Sequence, residues 1–362
     1  MNKYEYTNTN FKVMRITTFL LIALIILSCS SEEDPQSEEA YSTEVITDYE
    51  TLIEYDDEIL LQPGTAVATD THIMVFDGGD MKIKKLGKDG SLEDSFGGSG
   101  SGPGEFEGIQ NLSLNADTIS FYDNQNNRMN LFTSDGEFVD SYSYEFETLI
   151  FSEHLLFDGH FYATTSGVGN ALLASYNRDG DQIDTWGEPS VELSEEGPQE
   201  IIQDALSQAE NEEVPDMDKV QGQLAASSDY LWMKMAATDE LYRIDTNGNK
   251  ESFTFQIERT DANEYEYFEQ MARMAENNQL AVGFMRYVDE LYATEDYLYM
   301  IDFLQDSEKP VVMYQLNNDG QIEDRYKLEP FTERRYGFAI SPDDEYLYLV
   351  DVEHAGLVRI GL

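Results

Sequence analysis

The chain has 362 residues, 41% hydrophobic and 12% aromatic, with 72 acidic against 22 basic side chains and a formal charge of −50. That much apolar material excludes a globally disordered chain, and the charge excludes a nucleic-acid binder, whose phosphate contacts need a Lys/Arg surface. The single cysteine, Cys29, excludes an internal disulfide and a thiolate metal cage, and the acidity reads as a solvating surface.

The first element is an address. Ile16 to Leu27 runs twelve residues without a charge, behind Lys12 and Arg15 and ahead of Ser28 and Cys29. The run is too short to span a bilayer but fits the apolar region of a secretory signal. Ile26-Leu27-Ser28-Cys29 resembles the bacterial lipobox, in which cleavage precedes the cysteine and its thiol carries the lipid. Residues 1–28 are therefore expected to be a lipoprotein signal peptide, with translation starting at Met14 and Cys29 as the lipidation site. Residues 29–42 are polar and acidic and read as a disordered tether. Glu32, Glu33 and Asp34 directly after the cysteine resemble the surface-export signal of Bacteroidota lipoproteins. The expected location is the outer membrane, facing the periplasm or the cell surface.

Beyond residue 42 one unit recurs: a turn, a short alternating strand, a second turn, another strand, then Asp-Gly or Asn-Gly. Its reference apolar position is Ile73, Ile119, Phe161, Leu231, Leu298 and Leu347, with spacings of 46, 42, 70, 67 and 49. The closing turns are Asp89-Gly90, Asp135-Gly136, Asp179-Gly180, Asn247-Gly248 and Asp319-Gly320. A period in the forties with hairpin signals predicts four-stranded propeller blades, six of them, over residues 43–362. In the second unit, Ile119 and Phe121 alternate with Ser120, and Met129 and Leu131 with Asn130, as half-buried strands would.

The two long intervals predict short helical insertions. Ile201, Ile202, Ala205, Leu206 and Ala209 share one helical face within 198–209, and Tyr265, Phe268, Met271, Ala272 and Ala275 do so within 264–275. Both faces are expected to pack on the propeller. The last unit has no residues left for an outer strand, so the segment Thr43 to Glu54 is predicted to supply it and close the ring.

Two stretches resemble NHL-type repeats. Gly97-Gly98-Ser99-Gly100-Ser101-Gly102-Pro103-Gly104-Glu105-Phe106 is similar to the inter-blade segment of that family, and Asp123 to Phe132 (DNQNNRMNLF) to its hairpin. The departure is Ile109-Gln110, where the family usually carries a proline. With the lipobox, the chain resembles the TolB-like six-bladed propeller lipoproteins of Bacteroidota, which implies the fold and names no activity.

Motifs with chemistry are sparse. The glycine-rich segment lacks P-loop and dinucleotide-binding spacing, no G-x-S-x-G elbow is present, and the four histidines form no zinc motif. Neither a cofactor nor a metal is predicted. Asp77, Asp123, Asp302 and Asp351 end the same strand in four repeats and are expected to accept backbone N–H groups in the hairpin turns. The candidate ligand contacts are Arg286, Tyr287, Arg334, Arg335 and Tyr336, which break the symmetry just before innermost strands. Arg with Tyr suits an anionic or carbohydrate ligand through bidentate hydrogen bonds and stacking. The expected function is that of a monomeric binding or interaction protein, not an enzyme. Held to the membrane by its N-terminal lipid, it would bind an envelope protein, peptide or polysaccharide. The rival expectation is a calcium-dependent propeller hydrolase or lactonase.

Overall fold

In the computed structural model, the described residues are 41–54, 57–115, 117–143, 153–166, 170–193, 198–211, 213–254, 290–302, 310–331, 336–352 and 354–362. Tyr41–Leu362 form one unit, a six-bladed β-propeller of antiparallel blades. Two N-terminal strands, β1 (Ser42–Ile46) and β2 (Glu50–Ile53), precede the first complete blade. Blade 1 is β3–β6 (Pro63–Ala68, His72–Asp77, Lys82–Gly87, Leu92–Gly97). Blade 2 is β7–β10 (Gln110–Asn115, Thr118–Asp123, Arg128–Thr133, Phe138–Ser143). Blade 3 is β11–β14 (His154–Phe157, His160–Thr164, Leu173–Tyr176, Gln182–Trp186). Blade 4 is β15–β18 (Gly222–Ala226, Tyr230–Met235, Glu240–Asp245, Lys250–Thr254). Blade 5 is β19–β22 (Glu290–Ala293, Tyr297–Asp302, Val311–Asn317, Ile322–Leu328), and blade 6 contributes β23–β25 (Tyr336–Ile340, Tyr346–Asp351, Gly356–Gly361).

All six reference residues lie on the second strand of a blade, and all are fully buried. The expected half-burial is not what the chain shows, because blades stack side by side and both faces of a strand meet a neighbour. Ile73 and Val75 point into the core between blades 6 and 1, while Met74 joins the core between blades 1 and 2. Leu298 and Met300 likewise face blade 4, and Tyr299 and Ile301 face blade 6. The remaining two seams have their own apolar clusters, so six inter-blade cores replace one central one. Ser120 and Asn130, read from sequence as the solvent side, are buried; Ser120 pairs its hydroxyl with that of Ser113 at 2.8 Å.

The five closing turns join third to fourth strands. In each, the glycine adopts positive φ (72° to 90°) and donates its N–H three residues back, a geometry that β-carbons oppose. Asp77, Asp123 and Asp351 accept backbone N–H groups as expected. Asp77 accepts from the N–H groups of Gly79, Leu61 and Gln62, Asp123 from Asn126 and Glu107, and Asp351 from His354. Asp77 and Asp123 thus tie each second strand to the chain entering its own blade. The NHL-like segment is held similarly: Arg128 donates to the carbonyls of Ser101, Gly102 and Glu105 at 2.6–3.1 Å, and Asn126 to that of Gly100. Phe106, fully buried, anchors its end in the blade 1–blade 2 core.

The ring closes through the N-terminal segment. β2 pairs antiparallel with β25 as the fourth strand of blade 6, with Ile53 buried in the blade 6–blade 1 core. β1 does something the sequence does not suggest: it pairs in parallel with β22, adding a fifth strand to blade 5. One helical insertion is present as α1 (Pro198–Glu210), followed by a short α2 (Asp216–Lys219). Ile201 and Ala205 pack on Met217, and Leu193 joins this small cluster to the blade 3–blade 4 core. The insertion expected at 264–275 lies outside the described residues, as do the signal peptide, Cys29 and the tether up to residue 40.

Candidate functional site

The innermost strands β3, β7, β11, β15, β19 and β23 surround a central channel. At the end where these strands begin, it holds a cavity of about 360 Å³. The repeat explains its polar ring. Counting eight residues upstream of the reference position gives Thr65, Asn111, Glu153, Gln223 and Glu290, one per blade, and all five line the cavity. In blade 6 the hairpin is two residues longer and the equivalent position is Gly337, opposite Val350. A β-carbon there would lie 2.2 Å from the Gly64 carbonyl oxygen, so the glycine lets blades 6 and 1 meet at the rim. Phe76, Leu155, Leu224 and Phe338 are among the apolar walls.

Two details show how the ring is held. β7 carries a bulge between Gln110 and Ser113, and Asn111 sits at φ +52°, a conformation that an L-residue adopts at some cost. The Asn111 side-chain amide donates to Glu153 Oε2 at 3.2 Å, and the same oxygen accepts from the Leu224 N–H at 2.8 Å. The Glu153 backbone exchanges bonds with Thr164. One carboxylate therefore braces blades 2, 3 and 4 across the channel. Deeper down, the Tyr292 hydroxyl accepts from the Ala68 N–H at 3.3 Å, and desolvation pushes its pKa to about 12, leaving it a neutral donor and acceptor.

The opposite mouth holds a second cavity of about 570 Å³, lined by carboxylates such as Asp70, Asp117 and Glu295 and by Ser and Thr hydroxyls. Its Asp135 accepts from Lys85 Nζ at 3.0 Å, which holds that carboxyl below the usual carboxylate range. Among the described residues, no group of three or more His, Cys, Asp and Glu side chains is placed to hold a metal ion.

Of the residues singled out from sequence, Arg286, Tyr287, Arg334 and Arg335 lie outside the described residues. Tyr336 opens β23, whose start lies at the cavity end of the channel. The ring residues Asn111, Glu153, Gln223 and Glu290 were missed by sequence reasoning, although a signal existed. Their repeat position is fixed while their identity varies, and that combination marks a shared scaffold site bearing individual chemistry.

No family model matches the chain, and no curated protein does. Solved structures do match. A Bacteroides fragilis protein described as exported shares 12% identity at a TM-score of 0.54, over 88% of this chain and 98% of that one. A member of the DUF4221 family from Bacteroides vulgatus shares 11% at 0.51, over 87% of this chain and 96% of that one. At such identities the likeness is one of fold: this chain shares its propeller architecture with those two proteins.

Proposed function

We propose that the protein is a lipid-anchored binding protein of the cell envelope, using the channel-mouth face of the propeller to hold an envelope protein, peptide or extracellular polysaccharide. In this reading residues 1–28 are a signal peptide, Cys29 carries the lipid, the tether ends at residue 40, before Tyr41 and β1 join the propeller, and the propeller acts as a monomer at the outer membrane. The clamped NHL-like junction around Arg128 supports placement beside TolB-like propeller lipoproteins. The observation that carries the reading is the braced, walled cavity where the innermost strands begin. Its carboxylate Glu153 is occupied by an amide and a backbone N–H, as a scaffold group would be. Arg286, Tyr287, Arg334 and Arg335 precede β19 and β23 in the sequence, Tyr336 opens β23, and these five are the proposed ligand contacts.

Two experiments test the two halves of the reading. Cys29→Ala is expected to abolish metabolic labelling with a radioactive fatty acid and move the protein from the membrane to the soluble fraction; unchanged labelling would remove the anchor. Polysaccharide and peptide arrays probed with the released propeller should give a hit that R334A/R335A weakens. An array without hits, or a hit indifferent to those arginines, would overturn the proposed contacts.

A further inference from the structure

An unpaired outer strand is a template for another chain, and a propeller presents one on each blade. The outer strands of blades 1, 2 and 3 are closed by a shared device. β6, β10 and β14 each carry a bulge at the same step, and the aspartate after it, Asp94, Asp140 or Asp184, accepts the N–H of the next residue at 2.8–2.9 Å. The closing turns fix which way that N–H points. Gly87, Thr133 and Asn177 donate across the hairpin to Ser91, Glu137 and Asp181, so two residues further along the third strand the aspartate bonds inward. The residue after it, Ser95, Ser141 or Thr185, therefore aims its N–H away from the blade, and the carboxylate covers it. Bulge and carboxylate together block a further strand. On blade 5 the edge is taken by β1, and on blade 6 β2 is four residues long and bulged.

β18 of blade 4 has neither device. It pairs with β17 in unbroken register from Lys250 to Thr254, and four of its five residues are exposed. Asp245 donates to Asn249, so Glu251 and Phe253 bond inward while Lys250, Ser252 and Thr254 turn their main-chain groups outward. Glu251 stands where the other blades have aspartate, but its carboxylate is drawn off to Arg243. Arg243 is itself held over the rings of Tyr230, Phe253 and Trp232 at 4.6–5.5 Å. Among the described residues nothing caps the Ser252 N–H.

We propose that β18 is a docking edge for an extended, basic segment of a partner protein, which adds to blade 4 as a fifth strand. The molecule makes the same addition to itself: β1 lies on β22 with four of its five side chains exposed, so an outer edge of this propeller accepts a strand largely through the main chain. Charge selects the partner. A formal charge of −50 steers a cationic segment in and repels a second copy, and Lys250, the cation on β18, is already engaged by Asp184 at 2.9 Å. This edge is separate from the channel mouth.

Fluorescence anisotropy on the intact propeller tests it, with a labelled, end-capped Lys-Val-Lys-Val-Lys-Val peptide as probe. The peptide is expected to bind saturably at one site, about tenfold more tightly than Glu-Val-Glu-Val-Glu-Val. Methylating its backbone nitrogens, which keeps charge and side chains, should cost about tenfold. Hydrogen exchange should slow at Ser252 and Thr254 when the peptide is added and stay unchanged at Ser95, Ser141 and Thr185. Ser252→Pro removes an N–H that faces away from β17, so the melting temperature should stay close to wild type while peptide affinity falls about tenfold. Should that variant unfold, the methylated peptide and the exchange pattern decide alone. No saturable binding, indifference to methylation, or protection away from β18 would overturn the inference. Equal affinity for the acidic peptide would overturn the choice of a basic partner, and a dimer in sedimentation that Ser252→Pro dissolves would assign the edge to a second copy instead.

Discussion

His154 is buried at 2% exposure and stacks on Tyr122 with ring centroids 3.9 Å apart, the first strand of blade 3 against the second strand of blade 2. Desolvation lowers its pKa from 6.5 to about 3, so the folded chain holds it neutral. The unfolded chain binds its proton below about pH 6.5, the folded chain only near pH 3. The stabilisation is therefore complete above pH 6.5 and is lost as pH falls towards 3, at up to about 1.4 kcal/mol per unit. His154→Phe keeps a ring against Tyr122 and removes the titration. In urea titrations between pH 7 and pH 4, wild type should lose stability more steeply than the variant by about that slope; parallel curves would refute the assignment. Such a residue is hidden from sequence reading. Nothing in a lone histidine at the head of a strand says whether a neighbouring blade will cover it. Glu153 is a similar case, since its role as a three-blade brace depends on which N–H groups the ring closure brings within reach.

At the scale of elements, the NHL-like junction, the Asp-Gly turns and the period of the second strands were legible because each is local chemistry: a glycine at positive φ, a side chain reaching a few residues along, a β-branched or aromatic run. Alternation was legible too, but its meaning was not. A two-residue period reports two faces, and only the stacking of blades makes both of them interior. The N-terminal segment shows the same limit. Its apolar residues announced a missing strand, and β2 supplies it, yet the parallel pairing of β1 on blade 5 left no trace, because four of its five side chains are exposed. The two strands should differ sharply in weight. Ile53→Asp places a charge in the core between blades 6 and 1 and is expected to cost more than about 3 kcal/mol in chemical denaturation, whereas Val45→Asp should fall within about 0.5 kcal/mol. Similar losses for both would mean that β2 contributes little to closure.

For the whole molecule, charge and topology act against each other. A formal charge of −50 repels itself within a ring stabilised by apolar seams, and the described cations are mostly engaged locally, as Lys84 with Asp80 and Arg243 with Glu251. Raising NaCl from about 0.01 M to 1 M shrinks the screening length from about 30 Å to about 3 Å. The melting temperature should rise across that range, and as much with KCl as with NaCl. A fall would show that the few ion pairs outweigh the net repulsion. The whole-molecule site was only half legible. The sixfold step was plain, but repetition suggested scaffolding alone, and the polar ring is apparent only from the way the repeat position lines the channel cavity in five of the blades.

The pairing of β2 with β25 sets a schedule as well as a shape. Glu50 and Arg359, an ion pair across this seam, are 309 positions apart. During synthesis or passage through a membrane pore in chain order, the first of these strands emerges with no mate and must wait while every blade between them is delivered. Until then blade 6 lacks its outer strand and blade 1 an edge of its core, and both are open to chaperones, proteases and other copies. The ring can lock only once the last strand arrives, so the same contact that joins the two ends also tests whether everything between them has been delivered.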